Sequence, residues 1–395
     1  MARVYSTRPG VLWVRCAAMT PPLRLSAYFC AYFLYAGALV PYFALYLAAR
    51  GFGAGAIAVV LAMPQLARVV APAFWGWLAD RSGAARGIVV FSAAMVLAGF
   101  ALLQVVDGYA GVVAIMLVMS LLSAGALPLV EALTLGSLGA RTERYGPIRL
   151  WGSVGFVAGV LATGAWLDAH PPQSLLGVIV LLAALTLGVS FLVPAGRVAV
   201  TGGPGDARLL AVLRRPEVLA FFAACFCMNV AHGALYAFYS IYLDAAGYSK
   251  TAIGVLWTIG VLAEIVLFLC MPRLLRHWSL RAVLAASCAL AALRFALIGW
   301  GVQSALLLAL AQLLHAATFG AYHASSVAIV HRLFTGALAA RGQTLHSSVS
   351  YGLGGSAGTL LAGWSWGALG PELSFTLSAA AGLAGATLVI WRVRV

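Results

Sequence analysis

Apolar stretches of about 20 residues or more recur along the chain with only short polar interruptions, and about 20 is what an α-helix needs to cross a bilayer. The pattern predicts twelve such helices. In the first half they cover 25–48, 55–78, 87–106, 109–136, 147–168 and 175–194; in the second, 217–243, 250–272, 279–301, 303–331, 343–367 and 371–391. The stretch between the halves has a different texture, with several arginines around Gly202-Gly203-Pro204-Gly205, and reads as a linker. The expected organisation is a tail at 1–24, a six-helix bundle at 25–194, a linker at 195–216 and a second bundle at 217–395.

The halves repeat one another. Gly37-Ala38-Leu39-Val40-Pro41-Tyr42-Phe43-Ala44-Leu45-Tyr46-Leu47 lies over Gly233-Ala234-Leu235-Tyr236-Ala237-Phe238-Tyr239-Ser240-Ile241-Tyr242-Leu243 at an offset of 196 residues. In the fifth and eleventh spans, Arg149-Leu150-Trp151-Gly152-Ser153-Val154-Gly155-Phe156 aligns with Thr344-Leu345-His346-Ser347-Ser348-Val349-Ser350-Tyr351 at an offset of 195. Repeats in the same orientation imply a pseudo-two-fold axis along the membrane normal and a cavity between the halves. The fold class expected is therefore all-α, integral to the membrane, with twelve spanning helices in two pseudo-symmetric six-helix bundles.

Composition agrees: of 395 residues 63% are hydrophobic and only 9% charged, with mean hydropathy +1.01, far more apolar surface than a water-soluble core could bury. The net charge of +14 would suit nucleic acid if it were clustered on a soluble face. It is not. All basic residues except Arg50, Lys250, Arg68 and Arg294 fall at the ends and loops that share one side of the membrane. The positive-inside rule makes that side cytoplasmic, places both termini there and points to the cell's inner membrane. The basic N-terminal residues precede a full-length span without a small-residue cleavage site, so a removable leader is not expected, although Met19 is an alternative start. The six cysteines show no metal spacing or extracellular pairing pattern and read as packing residues.

Charges inside spans cost roughly 2.5 to 3.5 kcal/mol each on insertion scales, so those present are candidates for function. Glu131 and Arg149 are expected to pair at a substrate site; Arg149, Ser153 and Phe156, at i, i+4 and i+7, give one helix face a guanidinium, a hydroxyl and a ring. The plainer reading is that Arg149 snorkels to the interface. Tyr32 in the first span and His232 and Tyr236 in the seventh belong to aromatic stripes suited to a cavity wall or, equally, to helix packing. In the second half Glu264, Arg294 and His315 could form a proton-coupling cluster, with Glu264 as first candidate carrier, Glu131 second and His315 third, and Arg294 acting by its distance from Glu264; a static Glu264 to Arg294 bridge is the competing reading. Arg294 is also a candidate for holding substrate, and Arg68, 196 residues before Glu264, is a further cavity charge. No metalloprotease, nucleophile-elbow or Walker motif appears, no cofactor is called for, and an enzyme is not expected.

Gly76-Trp77-Leu78-Ala79-Asp80-Arg81-Ser82-Gly83-Ala84-Ala85-Arg86, between spans 2 and 3, resembles the signature loop of the major facilitator superfamily. The resemblance implies a gating latch in which Gly76, Asp80, Arg81, Gly83 and Arg86 take part. Glu131, then Arg149 with Gly152, Val154, Gly155 and Phe156, is similar to lactose permease and to the phenylpropionate permease group within that superfamily. Tyr145-Gly146-Pro147-Ile148-Arg149-Leu150-Trp151-Gly152-Ser153 and Gly342-Gln343-Thr344-Leu345 resemble the latter group most. Lactose permease also resembles this chain in Glu264, Arg294 and His315, but its next acid falls here on Thr318. These resemblances imply a monomeric secondary transporter whose partners are a small-molecule substrate, protons and the lipid bilayer, with no nucleic acid. Proton-coupled symport of a phenylpropionate-like aromatic carboxylate is the expectation. A sugar or nucleoside symporter and a drug or metabolite antiporter are the rivals.

Overall fold

The computed structural model describes residues 20–139, 141–196 and 206–394; the choice between Met1 and Met19, Cys16 and the Gly202 to Gly205 stretch lie outside them. The described residues contain helices and no strand. We number the spanning helices α1 (Pro21–Ala49), α2 (Ala54–Ser82), α3 (Ala85–Leu102), α4 (Tyr109–Leu138), α5 (Tyr145–Ala169) and α6 (Pro172–Ser190). The second half has α7 (Pro216–Ala245), α8 (Lys250–His277), α9 (Leu280–Trp300), α10 (Ala305–Leu333) and α12 (Pro371–Arg392). Helix α11 is assembled from Ala339–His346, a π-helical Ser347–Gly354 and Gly355–Leu369 in unbroken succession. The linker is not wholly irregular, because Asp206–Leu213 forms a short helix.

Close helix approach depends on glycine, and the glycines fix the true register of the repeat. A Cβ at Gly155 or Gly159 of α5 would collide with the backbone of Cys30 or Leu34 in α1; at Gly354 or Gly358 of α11 it would collide with that of Phe226 or Val230 in α7. Gly164 and Gly363 extend the match, the first against Lys250 at the start of α8, the second against Ala54 and Ala58 in the first turns of α2. These pairs stand 199 residues apart, not 195. The alignment expected from side-chain likeness is therefore one helical turn out, because the constraint that repeats is backbone proximity and not the hydroxyls and rings. Ser348 takes the position equivalent to Arg149, where Thr344 had been expected.

Between the halves, α5 packs on α8, α2 on α11 and α1 on α7, while α4 and α10 pack within their own halves. At the end away from the arginine-rich loops the halves are joined by hydrogen bonds as well. The Asp168 carboxylate, at the end of α5, accepts from the backbone N–H of Lys250 at 2.7 Å and of Thr251 at 3.0 Å, capping α8 from the other half. The Tyr42 hydroxyl reaches the carbonyl oxygens of Val160 at 2.9 Å and Lys250 at 3.0 Å. Near mid-membrane, Ser348 Oγ donates to the Val69 carbonyl at 2.8 Å. From that level toward the arginine-rich end, charged side chains of both halves, Arg68, Glu131, Arg149 and Glu264, stay partly exposed within the spans and mark an opening.

Candidate functional site

Arg149 and Glu131 face this opening from the first half. Arg149 Nε lies 4.0 Å from Glu131 Oε1, with the side chains 32% and 38% exposed. The guanidinium sits over Phe33 at 4.2 Å and Phe29 at 5.5 Å from the ring centroids, so the α1 rings hold it by cation–π contact. Helix position explains the pair: Arg149 lies near the start of α5, and Glu131 follows the break at Ala124 and Gly125 in α4. Ser153 and Phe156 are half-buried on α5. Tyr32 stacks on Tyr28 at 6.1 Å and feels the charges of Arg68, Glu131 and Arg149.

The opposite wall carries a second titratable pair. His315 Nε2 lies 3.5 Å from Glu264 Oε2, and Gly320 lets α8 come close, since a Cβ there would stand 3.2 Å from Glu264 Cγ. Besides His315, Arg149 of the first half and His323 are near enough to act on Glu264. His315, Phe319 and His323 form a column of stacked rings 5.2 and 6.5 Å apart along α10. The column passes through the π-helical Ala316–Ala321, an irregularity that often accompanies functional sites.

Two residues expected at the cavity wall are packed behind it. Arg294 is 1% exposed and forms no ion pair with Glu264: its donors go to the Ala311 carbonyl at 3.1 Å, Thr318 Oγ1 at 3.0 Å and Gln312 Oε1 at 3.1 Å. This excludes the static Glu264 to Arg294 bridge, the competing reading, and it takes Arg294 away from Glu264 as a coupling partner; the reason is local. Three neutral acceptors on α10 satisfy the guanidinium, and Thr318 stands where the lactose permease resemblance placed an acid. His232 is 5% exposed; its Nδ1 lies 2.8 Å from the Met228 carbonyl and therefore donates to it. The ring packs edge-on to Phe295 at 5.0 Å. Tyr236 is half-buried and stacks on Trp257 at 6.2 Å. His346 is fully buried with neither ring nitrogen hydrogen-bonded, against Phe221.

Arg68 is exposed at the middle of α2. In the loop after α2, Gly83 adopts φ +66 as the helix's C-cap, a conformation that favours glycine. Arg81 lies over the Trp77 ring at 5.8 Å, and Arg86 donates to the Phe191 carbonyl at the end of α6. Arg281 does the same for Ile390 at the end of α12. Asp80 is exposed at the end of α2, and a Cβ at Gly76 would meet open space.

Sequence reasoning left His323 and Tyr351 without a role. His323 Nδ1 lies 2.9 Å from the Tyr351 hydroxyl. The spacing of His323 two turns after His315 was visible, but the π-helical turns of α10 and α11 decide where both point.

Two six-helix halves around a central opening, with charges on both walls, define a secondary transporter of the major facilitator type. The chain belongs to the MFS_1 like family, whose model matches residues 23–377. A "Probable 3-phenylpropionic acid transporter" of Escherichia coli (strain K12) is 32% identical over 363 residues, 87% of this chain and 90% of that one. The maltose permease of Geobacillus stearothermophilus is 35% identical over 163 residues, 40% of each chain. The crystal structure of nucleoside transporter NupG matches with a TM-score of 0.83 over 95% of this chain and 100% of that one, at 17% identity, a likeness of fold. These relatives are transporters and not enzymes.

Proposed function

We propose that the protein is a proton-coupled symporter of a small aromatic carboxylate, working by alternating access in the inner membrane with both termini in the cytoplasm. The observation that carries this reading is the pairing of two loosely held carboxylates across one opening, Glu131 with Arg149 at 4.0 Å and Glu264 with His315 at 3.5 Å. Such separations leave each acid free to exchange a partner for a proton or a substrate group. Aromatic side chains at the same opening, Tyr32, Phe33 and Tyr236, suit a ring. The E. coli relative is named for a substrate of this class. If the arginine-rich side is cytoplasmic, an opening on that side is the inward-open state, from which a symporter releases its cargo.

A sugar or nucleoside symporter is the second reading, supported by the maltose permease relative and by the way Glu131 with Arg149 could hold hydroxyls. Proteoliposomes with an imposed pH gradient separate the two. Labelled 3-phenylpropionate should accumulate in vesicles with an alkaline interior, and a protonophore should abolish the accumulation. Accumulation of maltose or a nucleoside instead would replace the first reading with the second, and efflux of substrate against proton entry would establish antiport.

A further inference from the structure

We infer that Arg68 is the residue that receives the carboxylate of the substrate, an inference that rests on the aromatic-carboxylate reading above. Arg68, Arg149 and Arg294 are the candidate arginines within the spans, and the structure gives them different work. Arg294 is enclosed by Ala311, Gln312 and Thr318, with 1% of its surface exposed. Arg149 is engaged by Glu131 and lies over the Phe33 ring. Arg68 is exposed on the side of α2 that carries Gln65, next to the Val69 contact with α11, and forms no ion pair among the described residues.

Its place is also the right one. The next residue, Val69, meets α11 through the Ser348 hydrogen bond, and a Cβ at Gly352 would stand 2.8 Å from its side chain. Arg68 thus lies where the halves begin to part, at the closed apex of the opening. A ligand drawn to that apex would touch both halves, as alternating access requires. The Arg68 charge acts on the phenols of Tyr32 from α1, Tyr236 from α7 and Tyr351 from α11. Glu264 acts on Tyr236 and Tyr351 as well, so both rings lie within reach of a cation on α2 and an acid on α8. A substrate with its carboxylate on Arg68 would lay its ring among these phenols, toward Glu264. One turn nearer the sealed end, Gln65 buries an amide oxygen without a partner beside Gly355; rotating that amide would turn N–H donors to the same apex. A guanidinium binds a carboxylate through two parallel hydrogen bonds, which lysine cannot copy.

The test is equilibrium binding to the purified full-length protein, read by tryptophan fluorescence, with 3-phenylpropionate and its neutral amide as probes. The wild type should prefer the acid by roughly 30-fold or more. Arg68→Gln should lose that preference by weakening the acid alone, and Arg68→Lys should recover part of it. Undiminished preference in Arg68→Gln overturns the assignment while leaving the transport reading intact. Loss of both probes in Arg68→Gln also overturns it, because that marks a role in building the cavity and not in recognising charge. Wild-type protein that binds neither probe overturns the aromatic-carboxylate reading and this inference together.

Discussion

Glu264 is the residue whose chemistry can be tested most directly. Its carboxylate meets His315 at 3.5 Å and feels Arg149 and His323, so its protonation is tied to groups from both halves. If it carries the coupled proton, Glu264→Gln should abolish accumulation driven by a pH gradient while leaving exchange of labelled for unlabelled substrate within about threefold of wild type. Retained gradient-driven accumulation would remove Glu264 from coupling. Arg294 calls for a different expectation. Its three hydrogen bonds involve a charged donor, each worth about 1.5 to 3 kcal/mol, and removing it would orphan buried acceptors on α10. Arg294→Met should therefore lower the melting temperature measurably even if the substrate site is unchanged.

Among the elements, the α1 and α5 pair and its counterpart of α7 and α11 are the tightest joints in the molecule. In the absence of a hydrophobic driving force between helices in lipid, packing of this closeness is what holds them together. The glycines are not equivalent. Gly358 abuts the Val230 backbone, whereas a Cβ at Gly188 in α6 would meet nothing within 4 Å. Gly358→Leu should cost more than about 3 kcal/mol and prevent recovery of folded protein; Gly188→Ala should raise stability by about 0.5 to 1 kcal/mol, since it removes only backbone freedom from a helix interior. Thermal denaturation in detergent compares the two. Helices α4 and α10 are interrupted at matching depths, the first at Ala124 and Gly125, the second by Ala316–Ala321. The breaks set the directions of Glu131 and of the histidine column.

For the whole molecule, the conformation is held by contacts at the sealed end. To open that end, α5 must leave α8, breaking the Asp168 cap of Lys250 and Thr251 and the Tyr42 bond to the Lys250 carbonyl. A cap of this kind contributes about 0.5 to 2 kcal/mol, enough to shift a two-state equilibrium roughly tenfold. Asp168→Ala should thus increase hydrogen exchange at the first amides of α8 and shift the protein toward the state open on that side. Unchanged exchange at Lys250 to Gly254 would mean that glycine packing alone seals it. The pseudo-symmetric site on the α11 and α2 side has Gly367 where α5 has Asp168, so the device is built into one joint only.

Hydrophobic run length alone determined the number of spans, and the signature loop with the Glu131 to Phe156 wording determined the superfamily, because depth in a bilayer and local motifs are both written along one dimension. The candidate charges were legible for the same reason: an ionised side chain in an apolar run is conspicuous whatever surrounds it. Which way each charge points was not legible. That Arg294 is satisfied by Thr318 and Gln312, that Glu264 turns to His315 and that Arg68 is left facing the opening all depend on helix azimuth, which neighbouring helices and π-helical turns decide. The register of α11 against α5 and the side on which the halves are closed are likewise tertiary facts. Both follow from backbone approach at Gly155, Gly164, Gly354 and Gly363, a property of two helices together that neither sequence segment carries by itself.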